Sequence, residues 1–212
     1  MNILSKHVLY DWFGFNQKIF LFINHLYASP AYDTAMLFFA HVFDADNYPY
    51  FMVAIALYAG LSDLFRRLTN RRKKGYLTAW VGSLSVLAVG FVAMALSVKS
   101  LKAYFDMPRP YIVFPKGDIR VLDGAMQAGG DYHSFPSGHA SFITLLVAGL
   151  WPVLSHDMRA FGVLLGILVC YSRVAVGMHF PADVVGGFLV TLLVVLLVRE
   201  VIYWLLETLF GW

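Results

Sequence analysis

The residues able to do chemistry in this 212-residue chain fall into three short clusters. Lys102 is followed, after six residues, by Arg109-Pro110; Pro136-Ser137-Gly138-His139 comes next; Ser172-Arg173 is then followed after five residues by His179 and after three more by Asp183. An ammonium and two guanidinium groups suit the equatorial oxygens of a phosphoryl group in transfer, and three cations repel one another unless an anion lies between them. Arg173 also interrupts an apolar run, where a charge costs about 2.5–3.5 kcal/mol on insertion scales and marks a functional site.

Pro136 to His139 stands directly before an apolar stretch, with Ser137 placed to cap a helix and Gly138 removing side-chain bulk where an anion would approach. The N–H groups of such a helix start can receive phosphate oxygens, and His139 falls in its first turn. His179 precedes Pro181, and Asp183 follows four residues after the histidine. That spacing predicts one helix face on which the carboxylate holds one ring nitrogen as N–H and leaves the other lone pair for phosphorus, as a nucleophile requires. Two histidines and a carboxylate are also a familiar metal-ligand count, but three neighbouring cations make a poor metal site, so no metal and no cofactor are expected.

These residues need elements to hold them, and composition says which kind. The chain is 59% hydrophobic and 14% charged, with a mean hydropathy of +0.67, whereas soluble domains carry roughly 25% charged residues. Leu77 to Val98 is an uncharged run of 22 residues, and about 20 cross a hydrocarbon core. Spans are predicted at 48–65, 77–100, 140–155, 159–176 and 181–206. Residues 17–43 form two apolar pieces, Lys18–Ala28 and Ala31–Phe43, broken at Ser29-Pro30; they read either as one kinked span or as helices lying in the interface. The expectation is an all-α, polytopic transmembrane helical bundle of five or six spans, a single domain over 1–212 without repeats or linkers. Met1–Phe15 lacks the pattern of a removable signal peptide. Cys170, the one cysteine, excludes an intramolecular disulfide and a thiolate zinc site.

Six of the sixteen basic residues cluster at Arg66, Arg67, Arg71, Arg72, Lys73 and Lys74. Under the positive-inside rule this segment is cytoplasmic, a topology determinant rather than a nucleic-acid patch. The 77–100 helix then runs outward, and counting spans from there brings all three clusters to the outer face.

With Lys-x6-Arg-Pro, Pro-Ser-Gly-His and Ser-Arg-x5-His-x3-Asp present in order over 102–183, the chain resembles the type 2 phosphatidic acid phosphatase (PAP2) superfamily, which also includes the vanadium haloperoxidases. The resemblance implies a helical bundle in which His179 attacks phosphorus, Asp183 orients it and His139 protonates the leaving oxygen. Lys102, Arg109, Ser137, Gly138 and Arg173 would hold the phosphoryl oxygens until water hydrolyses the phosphohistidine. Such roles require His179 neutral and His139 protonated together, hence a bell-shaped pH profile.

Undecaprenyl pyrophosphate, phosphatidylglycerol phosphate, phosphatidic acid and lipid A phosphates are all substrates within that family. The family resemblance, small size and lack of Asn-x-Ser/Thr sequons suggest a bacterial inner membrane with the site on its outer face. A phosphotransferase using the same histidine, or a lipid-phosphate binding or transport protein without chemistry, are the competing readings. Tyr104, Phe105, Tyr111, Phe114, Tyr132 and Phe135 read mostly as an interfacial aromatic belt. Asp118, Asp123 and Asp131 are expected to discourage extra negative charge on a substrate. No role is assigned to His25, His41 or His156.

Overall fold

The structure, a computed structural model, describes residues 10–71, 75–122, 125 and 132–210. Arg72, Lys73, Lys74, Asp123 and Asp131 lie outside the described residues. Helices α1 (Phe15–His25), α2 (Pro30–Val42), α3 (Tyr48–Leu68), α4 (Tyr76–Phe105), the one-turn α5 (Pro110–Val113), α6 (Gly138–Leu150), α7 (His156–Ala175) and α8 (Pro181–Phe210) follow in order. Among the described residues there is no strand. Segments Ala45–Leu68, Tyr76–Val113, His156–Ala175 and Pro181–Leu209 are long and apolar enough to cross a membrane, and the fold is that of a polytopic transmembrane helical bundle.

The two N-terminal pieces are separate helices. Ser29 caps α2 by accepting from the Tyr32 amide, and Pro30 occupies its first turn, where a missing N–H costs nothing. At 11 and 13 residues, α1 and α2 reach about 17 and 20 Å at 1.5 Å per residue, short of a hydrocarbon core of roughly 30 Å. Both pack against α7 instead.

Helix α6 is the centre of the bundle, in contact with α4, α7 and α8. His139 to Leu146 are all buried, as expected of a helix that is apolar all round and enclosed by others. Phe142, Ile143, Leu145 and Leu146 form one core with Val86, Leu87, Met94 and Val98 of α4, Val169 of α7 and Val195 of α8. Large apolar side chains on α3, α7 and α8, among them Leu61, Ile167 and Leu197, are exposed, as surfaces in contact with lipid can be.

The sequence predicts a helix over 140–155 with its turn at 155–159, but α6 ends at Leu150 and α7 starts at His156. The reason is Pro152, which has no N–H for the Ala148 carbonyl four residues back. That carbonyl accepts instead from the Trp151 amide at 3.3 Å and from the Arg199 guanidinium of α8. Ser155 then caps α7 through the Met158 amide.

Two glycines set how closely the site-bearing ends approach. Gly177 has φ +83°, and a Cβ there would lie 2.4 Å from the Arg120 carbonyl oxygen, so only glycine lets the 120–122 strand of loop lie on the turn after α7. In α8, a Cβ at Gly187 would stand 2.5 Å from the Ser137 carbonyl oxygen. Gly187→Ala is therefore expected to push the start of α6 off α8, lowering the thermal midpoint in detergent by an overpacking cost of about 1–3 kcal/mol and reducing turnover with it.

Candidate active site

The C-terminal ends of α4 and α7 and the N-terminal ends of α6 and α8 come together at one end of the bundle. The remaining basic residues of the 66–74 segment, Arg66, Arg67 and Arg71, lie before the start of α4, whose 30 residues put them about 45 Å from its far end. At the site end a cavity of about 650 Å³ is lined by Lys102, Arg109, Gly138, His139 and His179, with Asp44, Asp46 and Lys99 at its walls. Arg173, Ser137 and Asp183 are fully buried beside them. All eight residues singled out from sequence thus meet in one place.

Asp183 faces His179, Nδ1 to Oδ2 at 3.3 Å, but not through the helix-face spacing expected from sequence. His179 precedes α8, and Asp183 is the third residue of the helix, where its Oδ2 accepts from the Phe180 amide at 2.8 Å. This reach back to the N-cap amide is the acidic half of a capping box, and the positive helix end favours the carboxylate. Oδ2 also accepts from the Ser134 hydroxyl at 2.5 Å, and Oδ1 from the Tyr10 hydroxyl at 2.7 Å. Asn16 completes the helix start by accepting from the Ala182 amide at 2.9 Å. The carboxylate is therefore held in place by groups from two distant parts of the chain and by the local Phe180 amide, and Nδ1 of His179 is turned to it, leaving Nε2 for the cavity.

Burial, then the charges of Arg109, Arg173 and Lys102, hold the His179 imidazole well below the ordinary histidine pKa, so it is neutral at neutral pH. Burial and the adjacent Asp183 carboxylate push the Tyr10 phenol up, keeping it a donor.

The cations are held differently from one another. Lys102 donates to the His133 carbonyl at 2.7 Å, and His133 Nδ1 lies 3.0 Å from the Lys102 carbonyl and 3.2 Å from Asp106, which ties the end of α4 to the segment leading into α6. Arg109 donates to the Met178 carbonyl at 3.2 Å. Arg173 is 0% exposed, and none of its three guanidinium nitrogens has a hydrogen-bond partner among the described residues. A buried charge in that condition is costly, and the group that would relieve it is an anion able to take several N–H donors at once.

Ser137 caps α6 by accepting from the Ala140 amide, and its own amide donates to the Asp183 carbonyl at 2.9 Å, joining the second and third clusters directly. A Cβ at Gly138 would meet nothing within 4 Å, so the helix start is open to the cavity. His139 Nε2 lies 2.7 Å from the Ala40 carbonyl.

Tyr10, Ser134, Asn16, Ala40 and Asp44 are the site neighbours that sequence reasoning missed. Ser134 could have been found from its place two residues before Pro136, and Asp44 from the polar break Asp44-Ala45-Asp46-Asn47 between apolar runs; Tyr10 carried no such signal. Asp118 does not line the cavity: its carbonyl meets His25 at 2.9 Å, and among the described residues the carboxylates lining the cavity are Asp44 and Asp46.

Tyr10→Phe removes one charged hydrogen bond from Asp183 and leaves the ring packing on Phe135 and Phe180. With other donors retained, the expected effect is a fall of about tenfold in kcat, with KM little changed, read from steady-state phosphate release.

Comparison with known proteins identifies the family. Undecaprenyl-diphosphatase of Sulfolobus acidocaldarius is 40% identical over 57 residues, 27% of this chain and 28% of the relative. Phosphatidylglycerophosphatase B of Bacillus subtilis is 31% identical over 134 residues, 58% of this chain and 59% of the relative. The chain thus spans about a quarter and somewhat over half of these relatives' lengths. The crystal structure of Aquifex aeolicus LpxE superposes with a TM-score of 0.68 at 22% identity, covering 88% of this chain and 95% of that one. Residues 78–207, more than half of the chain and inclusive of every motif residue, match the PAP2 superfamily, and the protein belongs to that family.

Proposed function

We propose that the protein is a metal-independent phosphatase of lipid phosphates, hydrolysing a monoester or pyrophosphate through a phosphohistidine. The observation that carries this reading is Arg173: a fully buried guanidinium with no hydrogen-bond partner among the described residues, beside two further cations and a neutral, carboxylate-oriented histidine. In the proposed sequence Nε2 of His179 attacks phosphorus as the bond to the leaving oxygen breaks. His139 gives that oxygen a proton, and Lys102, Arg109, Arg173 and the Ser137-Gly138 helix start hold the phosphoryl oxygens. Water, deprotonated by His139, then attacks the phosphohistidine and restores both side chains.

A lipid substrate is supported by the shape of the cavity wall. Phe91, Met94, Ala95 and Val98 line it below Lys102, a stripe at helical spacing that descends about 16 Å from Lys102 to Phe91. That is close to the depth of one leaflet. An acyl or isoprenoid chain lying on this stripe would bring its phosphate to the cations. Substrates of this class include undecaprenyl pyrophosphate, phosphatidylglycerol phosphate, phosphatidic acid and lipid A phosphate. The basic end of α4, opposite the site, supports a cytoplasmic location for that end and, with it, a reading in which the chemistry faces outward from a bacterial inner membrane.

The test is phosphate release by the full chain in detergent micelles, with chelator present, from those four lipids. Turnover of at least one without metal is expected. A folded protein that releases phosphate from none would overturn the reading and leave a lipid phosphotransferase or a lipid-phosphate binding protein.

A further inference from the structure

The surroundings of His139 are unfavourable to the proton that a leaving-group acid must carry. Lys102 and Arg109 line the same cavity, His179 faces it, and Arg173 is buried alongside, so an imidazolium there would join three fixed cations. Asp183 does not relieve this, because its two oxygens are taken by Tyr10, Ser134, the Phe180 amide and His179. Asp44, in the turn after α2, is placed on the side of His139: its Oδ2 is 3.8 Å from Nε2, within ion-pair range though beyond a hydrogen bond. Its other oxygen, Oδ1, accepts from the Asp46 amide at 3.0 Å, which fixes the carboxylate. The tautomer of His139 is set as well. Nε2 is 2.7 Å from the Ala40 carbonyl oxygen, and a carbonyl can only accept, so Nε2 carries a hydrogen and the proton that comes and goes is on Nδ1.

We propose that Asp44 is a positioning residue for the leaving-group acid: with the Ala40 carbonyl it fixes the His139 ring, and its charge sustains an imidazolium whose Nδ1–H is the transferable proton. The proposal rests on the phosphatase reading above. In the step it serves, Nε2 of His179 forms its bond to phosphorus while the P–O bond to the lipid breaks and its electron pair stays on oxygen. The Nδ1 proton of His139 passes to that oxygen, yielding a neutral lipid hydroxyl and a neutral imidazole that keeps its hydrogen on Nε2. Without the Asp44 charge, the imidazolium loses a carboxylate 3.8 Å from its Nε2 that helps offset Lys102, Arg109 and Arg173.

Leaving-group dependence separates this role from a structural one. The full chain, wild type and Asp44→Asn, is assayed in detergent on a long-chain alkyl phosphate and on a nitrophenyl phosphate carrying the same tail; the nitrophenolate departs without protonation, the alkoxide does not. Asp44→Asn is expected to lower kcat on the alkyl ester by about 10–100-fold and on the aryl ester by less than about threefold, the same pattern as His139→Ala. Asp44→Glu, which keeps the charge, is expected to restore part of the alkyl-ester rate. Equal losses on both esters, or no loss on either, with His139→Ala still separating them, would overturn the role of Asp44. His179→Ala retaining turnover on both esters would instead overturn the phosphatase reading on which it rests.

Discussion

His179→Ala is expected to abolish metal-free phosphate release, with kcat falling by at least about 10⁴-fold, because removal of a covalent nucleophile removes the intermediate itself rather than one stabilising contact. The variant should still fold: the imidazole makes long contacts to Asp183 and Ser134 at 3.3 and 3.4 Å, while Asp183 keeps its stronger contacts to Tyr10, Ser134 and the Phe180 amide. The same side chain sets the acid side of the pH profile. Its pKa is held down in the folded protein by burial and by Arg109, Arg173 and Lys102, so the neutral nucleophile persists as pH falls through the ordinary histidine range near 6.5. The acid limb of kcat/KM attributable to His179 should therefore lie well below pH 6.5. Trapping an alkali-stable, acid-labile phosphoprotein from labelled substrate in wild type quenched with detergent at alkaline pH, and its absence in His179→Ala, would separate this role from an electrostatic one; equal labelling of both would sink the assignment.

The legibility of these residues in the sequence was uneven, for physical reasons. The long spans were plain because hydropathy over about 20 residues is a strong signal, and α3, α4, α7 and α8 fall where expected. The eight motif residues were legible because their types, spacing and end-of-helix positions all point to phosphate. Their supports were not. Tyr10 reaches Asp183 across 173 residues and Asn16 reaches Ala182 across 166, and no local pattern predicts a contact of that length. The early end of α6 is hidden in the sequence because Pro152 lies in an apolar run, where hydropathy conceals a lost hydrogen bond. A spacing of four predicts the pairing of His179 with Asp183 on a helix face, yet it is a capping turn that makes it.

Arg173 gives the second large effect, and its two readouts should move in opposite directions. Arg173→Met is expected to lower kcat/KM by about 10³-fold or more, since a guanidinium aimed at the transferring oxygens stabilises charge that develops in the transition state, as arginines do in other phosphoryl transfers. Arg173→Lys should recover little, because a point charge on a flexible stem does not reproduce the planar fork. In the absence of phosphate, however, Arg173→Met should be at least as stable as wild type. The native side chain is 0% exposed with Nε, Nη1 and Nη2 all lacking hydrogen-bond partners among the described residues, and replacing a buried, poorly compensated charge by an apolar chain of similar volume is neutral or stabilising by about 1–4 kcal/mol. Adding inorganic phosphate should raise the thermal midpoint of wild type by mass action on the native state and leave that of Arg173→Met unmoved. If Arg173→Met instead unfolds at lower temperature with and without phosphate, the guanidinium is a structural strut and its lack of partners has no bearing on anion binding. If stability rises while activity and the phosphate response are lost, the protein retains an unfavourable buried charge because the reaction needs it there.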